Sequence, residues 1–162
     1  MTGRIVVVDI TRLEARHLRL LVKQFRDLVA ETDAGGDDPA LRRLSPPAYP
    51  DDARAAAEFR SLTASDLLER RRADAETVME SLTGAATVAD DDADATDTVG
   101  LVLDETETQA WLRTLAAVRL VLATRLGVEE GTAHDDDDPR FGVYEWLGYR
   151  LEGLVRAVDG AN

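Results

Sequence analysis

Two short β-branched runs, each stopped by a helix-capping signal, constrain this chain more than any other feature. "RIVVVDI" (4–10) leads into Thr11-Arg-Leu-Glu14, and "VGLVL" (99–103) leads into Asp104-Glu-Thr-Glu107. In each box the first side chain can accept from the amide three residues on. The glutamate then reaches back to the first residue's own N–H. Aligning Thr11 with Asp104 superposes Leu18 on Trp111, Val22 on Leu115, Phe25 on Val118 and Val29 on Leu122. Capping boxes are common, so coincidence competes with an internal repeat. Two lone strands in a helical chain still have backbone groups to satisfy, and each is the obvious partner for the other. A small two-stranded ribbon is therefore expected, with the ends that feed the two helices close together.

The rest of the chain has helical periodicity. The first helix spans about 12–31, with Leu18, Leu21, Val22, Phe25, Leu28 and Val29 on one face. Asp38-Pro39 has the form of a cap followed by proline and opens a short helix through Leu44. "SPPAYP" (45–50) cannot be helical, because its prolines lack amide donors. A helix follows at 52–61. Thr63-Ala-Ser-Asp66 caps another at 64–82, whose apolar face is Leu67, Leu68, Ala75, Val78, Met79 and Leu82. The helix at 105–126 carries Trp111, Leu115, Val118, Leu122 and Leu126, widened by Leu112, Leu120 and Val121. An apolar surface that broad belongs to a central helix. Gly127 sits where a left-handed C-cap is expected, and Pro139 begins a last helix that ends near Gly160. The reading is a mainly α protein: one domain over 1–162, a helical bundle of about five to six helices with the small β-ribbon.

On the last helix Tyr144, Leu147, Leu151, Leu154, Val155 and Val158 form the core stripe. Trp146 lies about 200° round from Tyr144, and Tyr149 about 140° on the other side. Trp146 is then either buried in a second interface or exposed as a contact residue. Gly142, Gly148 and Gly153 would allow close approach of a neighbouring helix.

The net charge of −13 is concentrated: segments 87–98 and 128–138 hold eleven carboxylates and no base. Loops at 84–98 and 129–138 are expected to be mobile, since neither can bury much apolar surface. The opening apolar run is too short for a signal peptide, and no uncharged run suits a bilayer, so a cytoplasmic protein is expected. With no cysteine, thiol catalysis, disulfides and cysteine-ligated zinc are excluded.

Enzyme signatures are missing: there is no GxSxG, P-loop or GxGxxG after a strand. His17 is read as a partly buried helix residue, and His134 lies in an acidic loop. Asp90, Asp92 and Asp94 fit the start of a calcium loop. The match then fails at Ala95, Asp97 and Leu101, which leaves solvated acidic linkers as the reading. No catalytic residue, metal site or cofactor is expected. Arg119 and Arg125, on the apolar helix, would need acid partners such as Glu76 or Glu145.

Several stretches resemble a known group: "DPALRRLSPPAYPDDARAAAEFRSLT" (38–63), "DLLERRRADAETVMESL" (66–82), "LDETETQAWLRTLAAVRLVLATRLGV" (103–128) and "FGVYEWLGYRLEGLVRAV" (141–158). The chain is similar to the actinobacterial domain-of-unknown-function family numbered two thousand and seventeen. The resemblance implies an all-helical cytoplasmic protein and brings no established activity or cofactor. It also implies a gene neighbourhood near the adaptor of the Clp protease and near sulfur-transfer genes.

Two functions follow as expectations. The first is a non-enzymatic regulatory or protein-interaction module, anchoring its partner protein through Trp146 and then Tyr149, with a homo-oligomer left open. The alternative is a DNA-binding transcriptional regulator using Arg42, Arg43, Arg70, Arg71 and Arg72. Nucleic acid is disfavoured by the acidic charge, because duplex binding needs a contiguous basic face. No membrane contact is expected.

Overall fold

The computed structural model describes residues 4–31, 53–87, 92–127 and 139–160, with the side chains of 53 and 55–65 left aside. Among these residues the order is β1 (Val6–Thr11), α1 (Arg12–Glu31), α2 (Ala53–Leu82), β2 (Thr98–Leu103), α3 (Glu105–Leu126) and α4 (Pro139–Gly160). The fold is mainly helical, with four described helices where about five to six were expected. The excess has a clear origin. The helices expected at 52–61 and 64–82 are one continuous α2, because no glycine or proline interrupts 53–82. Thr63, Ser65 and Asp66 cost a helix interior only tenths of a kcal/mol each, less than the unsatisfied amides and carbonyls of two extra helix ends. The helix expected at 38–44 lies outside the described residues.

The strands pair antiparallel, from Val6↔Leu103 to Thr11↔Thr98. Val6, Ile10 and Leu103 are sealed on the inner face. Ile5, Val7 and Val102 lie on the outer face, each more than half exposed. The antiparallel register corrects one expectation. α1 departs from the Thr11 end of the ribbon and α3 from the Leu103 end, so the two helix starts stand about 17 Å apart across five residue steps.

Both capping boxes form. Glu14 N donates to Thr11 Oγ1 at 3.1 Å, and Thr11 N to Glu14 Oε1 at 3.3 Å. The second box repeats this with Asp104 and Glu107 at 2.8 and 3.2 Å. The register agrees with the repeat. Aligning Thr11 with Asp104 makes Val8 equivalent to Leu101, and these two are directly paired, as an approximate two-fold axis through that pair requires. Three of the four aligned helix pairs also behave alike: Leu18 and Trp111, Val22 and Leu115, and Phe25 and Val118 are all buried, whereas Val29 is buried and Leu122 only partly so.

The core is completed by Ala75, Val78, Met79 and Leu82 of α2, as their spacing suggested. α1 packs along α2, α2 on α3, and α3 on α4, whereas α1 and α4 approach each other sparsely. Gly127 adopts the left-handed conformation (φ 70°) at the C-cap of α3. The acidic stretch 84–98 enters the fold at both ends. Ala85 and Ala95 are buried, and the carbonyls of Ala95 and Asp97 accept from Leu13 N and Arg12 N at 2.8 and 3.0 Å. Those bonds satisfy two of the open amides of the first turn of α1. Residues 88–91 and 128–138 lie outside the described residues.

Candidate functional site

α4 starts with proline at its first position, where the missing N–H costs nothing, and buries Phe141, Leu147 and Leu154. Phe141 was missed in the sequence because it stands one turn ahead of the stripe taken to begin at Tyr144. Val155, placed in that stripe, is 43% exposed. Tyr144 is half-buried between two partners: Phe141 meets it edge-on at 5.9 Å, and the Arg119 guanidinium lies 4.1 Å from its ring centroid. Arg119 thus rests on an aromatic face, while the expected partners were Glu76 or Glu145. Its Nε is buried and finds no acceptor. Room for it comes from Gly148, where a Cβ would sit 2.9 Å from that nitrogen. Gly142 and Gly153 face open space, so the close-approach reading holds at Gly148 among the three.

The outward side of α4 is tied to the first module by a polar clasp. Trp146 Nε1 donates to Glu14 Oε2 at 2.9 Å, and Arg150 donates to the same oxygen at 2.6 Å. The second terminal nitrogen of Arg150 donates to the Asp9 carbonyl at 2.7 Å, while its buried Nε finds no acceptor. Burial alone would raise the Glu14 pKa, but the bonds from Arg150, the Thr11 amide and Trp146, with the charge of Arg150, bring it below the usual carboxylate value. One carboxylate therefore caps α1 with one oxygen and holds α4 with the other. Trp146 is half-buried with its polar tip satisfied, between the two outcomes its position allowed.

Two grooves border this clasp. One, of about 560 Å³, runs between α1 and α4 and is lined by Leu20, Leu21, Val143 and Trp146, with His17 and Gln24. Leu20 is 54% exposed there. His17, read as partly buried, is an exposed wall residue of this groove. The second, of about 270 Å³, lies between β1 and α4 and is lined by Tyr149, Gly153, Leu154 and Leu18. Tyr149 is 73% exposed. Trp146 and Tyr149 are thus not brought into one site; they line different grooves on either side of Arg150.

The arginines of α2 do not share one environment. Arg70 is exposed, and Arg72 lies 4.0 Å from Glu76. Arg71 is half-buried, with a sealed Nε that has no acceptor. Burial lowers its pKa against the attraction of Asp74, and the nearby Arg113 lowers it further. Arg113 itself bridges α3 to α2 through Asp74 at 2.9 and 3.2 Å. Arg42 and Arg43 lie outside the described residues. Among the described residues no group of three or more acidic or histidine side chains is placed to hold a metal ion. Nor is any described helix long and apolar enough to cross a membrane.

Fold and site together define a mainly helical protein of two strand–capping-box–helix modules, with a groove on each side of its last helix. The chain belongs to the domain-of-unknown-function family DUF2017, whose family model matches residues 1–158. No curated protein and no solved structure matches it.

Proposed function

We propose that this protein is a non-enzymatic regulatory or protein-interaction protein of the cytoplasm, binding another protein through the surfaces that flank α4. The observation that carries the reading is the α1–α4 groove. Leu20 and Val143 stand in water on its walls, above a half-buried tryptophan whose N–H is already satisfied. Interface anchors are typically aromatic groups in such apolar depressions, ringed by polar residues. The acidic charge favours encounter with a basic partner surface, chiefly through the association rate. The gene neighbourhood implied by the family resemblance, near the Clp adaptor and sulfur-transfer genes, supplies partners to try first.

The test is affinity capture from native lysate with mass spectrometry, comparing the wild type with Leu20→Asp and Tyr149→Ala. Both side chains are largely exposed, so circular dichroism should show an unchanged fold while specific partners are lost. Partners retained by both variants would refute the reading. DNA binding through Arg42, Arg43, Arg70, Arg71 and Arg72 has less support, because Arg71 turns inward and Arg72 lies beside Glu76. Duplex DNA should give no mobility shift at about 0.15 M salt.

A further inference from the structure

The second groove has a chemistry of its own, which starts in the backbone of β1. Arg12 N donates to Asp97 O, one step beyond the last ribbon pair, Thr11↔Thr98. In an antiparallel ladder residues alternate, so the bonded pairs are Ile10–Val99, Val8–Leu101 and Val6–Leu103. Thr11, Asp9 and Val7 then turn their amides and carbonyls away from β2. Two contacts agree: Thr11 N is capped by Glu14, and Asp9 O is capped by Arg150. Val7 is left with an open N–H and C=O on the free edge of the strand and Asp9 with an open N–H, none of them partnered among the described residues.

That edge forms one side of the β1–α4 groove. Across it α4 presents Gly153 and Ala157, small residues that leave the space open; a Cβ on Gly153 would meet nothing within 4 Å. The lining is apolar through Leu18, Leu154 and Trp111. On the outer face beside the same edge stands Asp9, which has no ion-pair partner among the described residues and lies over Gly100. Glu14, Arg150, Glu152 and Arg156 nearby are already paired with one another.

We propose that the β1–α4 groove binds an extended segment of a partner protein, added as a third strand at Val7, with apolar residues facing the groove and a basic residue beside Asp9. The proposal rests on the protein-binding reading above and assigns it a second surface. A strand edge beside a helix is a recurring peptide site: main-chain bonds give affinity, and alternate side chains give selectivity. Each element of the occupant answers one feature. An extended backbone satisfies Val7, alternating apolar side chains fill the space left by Gly153, and a lysine or arginine meets Asp9 as a cross-strand opposite charge. The chain's net charge of −13 disfavours a second copy of itself there.

The experiment uses the full chain and a short, end-blocked, fluorescein-labelled peptide of alternating valine and lysine, read by fluorescence anisotropy at about 0.15 M salt. Two controls keep the length: one with glutamate for lysine, one N-methylated at alternate residues so that donors are lost and side chains kept. The valine–lysine peptide should bind and slow exchange of the Val7 amide, and each control should bind about tenfold more weakly. Val7→Pro removes an outward N–H and no ladder bond, a position where a strand tolerates proline. It should keep its circular dichroism spectrum and lose about tenfold in affinity. Asp9→Lys should turn the preference toward the glutamate peptide. Should Val7→Pro fail to fold, the N-methylated peptide and Asp9→Lys decide the matter.

The proposal is overturned if the valine–lysine peptide does not bind, or if it binds a folded Val7→Pro equally well. A dimer that Val7→Pro dissolves would also overturn it, placing a second copy on the edge. Partners lost on Leu20→Asp would meanwhile leave the general protein-binding reading standing, so the two failures are distinguishable.

Discussion

In the second module the outer oxygen of Glu107 receives one neutral donor, the Ser81 hydroxyl of α2 at 3.2 Å, whose single proton it shares with the Thr77 carbonyl at 2.9 Å. In the first, the equivalent oxygen of Glu14 receives an indole N–H and a guanidinium from α4. Matching the two donors, Ser81 with Trp146, sets Leu82 on Leu147, and both are fully buried. One turn earlier the correspondence breaks: Val78 is sealed, while Val143 is 37% exposed. The same strand, box and helix are thus closed in one module by an apolar helix face and in the other by a charged clasp. What the first module lacks in apolar closure it has as two grooves, the surfaces on which the proposed function rests.

The largest effect should come from the part the modules share. Trp111 and its counterpart Leu18 are both at the core, 2% and 1% exposed. Trp111→Ala should cost about 3–5 kcal/mol, and Leu18→Ala about 2–5 kcal/mol, by chemical denaturation. A stable Trp111→Ala would mean that the modules do not share one core. The clasps come next. Arg150→Ala removes two charge-assisted bonds and leaves Glu14 and Trp146 realigned, for an expected loss of about 1–3 kcal/mol. Ser81→Ala should cost about 0.5–1.5 kcal/mol, because the single hydroxyl proton is shared between Glu107 and the Thr77 carbonyl. Equal losses would erase the contrast between the two closures.

Acid sharpens the same comparison. Because the folded Glu14 pKa is depressed, its contribution is fully present above the ordinary value of 4.5 and is lost as the pH falls through the lower folded value. Stability of the wild type should therefore drop in that acidic window, and more steeply than that of Glu14→Gln, which keeps a capping oxygen without the charge. Thermal melts between neutral pH and the acid limit would show it. Identical slopes for the two proteins would detach Glu14 from the acid response.

How much of this could be read beforehand depends on how local its cause is. Both capping boxes and the faces of α1 and α3 were legible, since a spacing of three or four residues encodes each; Gly127 was legible from its residue type, and the strand pairing from the backbone groups that two lone strands must satisfy. The fused α2 was not, because Thr63, Ser65 and Asp66 carry the signature of a cap whether or not the chain breaks there. The clasp was illegible for another reason. Nothing near Glu14 in sequence announces Trp146 or Arg150, more than 130 positions away. Trp146 was found as a candidate because it fell off the stripe of α4, but off-stripe position alone could not show that Glu14 would hold its N–H. Nor could it separate Trp146 from Tyr149, three residues on, into different grooves.

The smallest effects lie in the glycines of α4, where the two sides of the helix should respond with opposite signs. Gly153 faces the open β1–α4 groove, so Gly153→Ala adds a methyl group that meets nothing within 4 Å. It should stabilise the fold by roughly 0.5–1 kcal/mol, because alanine loses less backbone entropy in a helix. Gly148 faces α3, where the added carbon would stand 2.9 Å from Arg119 Nε and 3.2 Å from its Cζ. The guanidinium would have to shift off the Tyr144 face, giving up a cation–π contact worth roughly 0.5–2 kcal/mol, so the helical gain should be cancelled or reversed. Paired thermal melts measure the difference directly. Stabilisation by both substitutions would mean that Arg119 moves at no cost, and the tight α3–α4 seam would then be as loosely held as the groove side of the same helix.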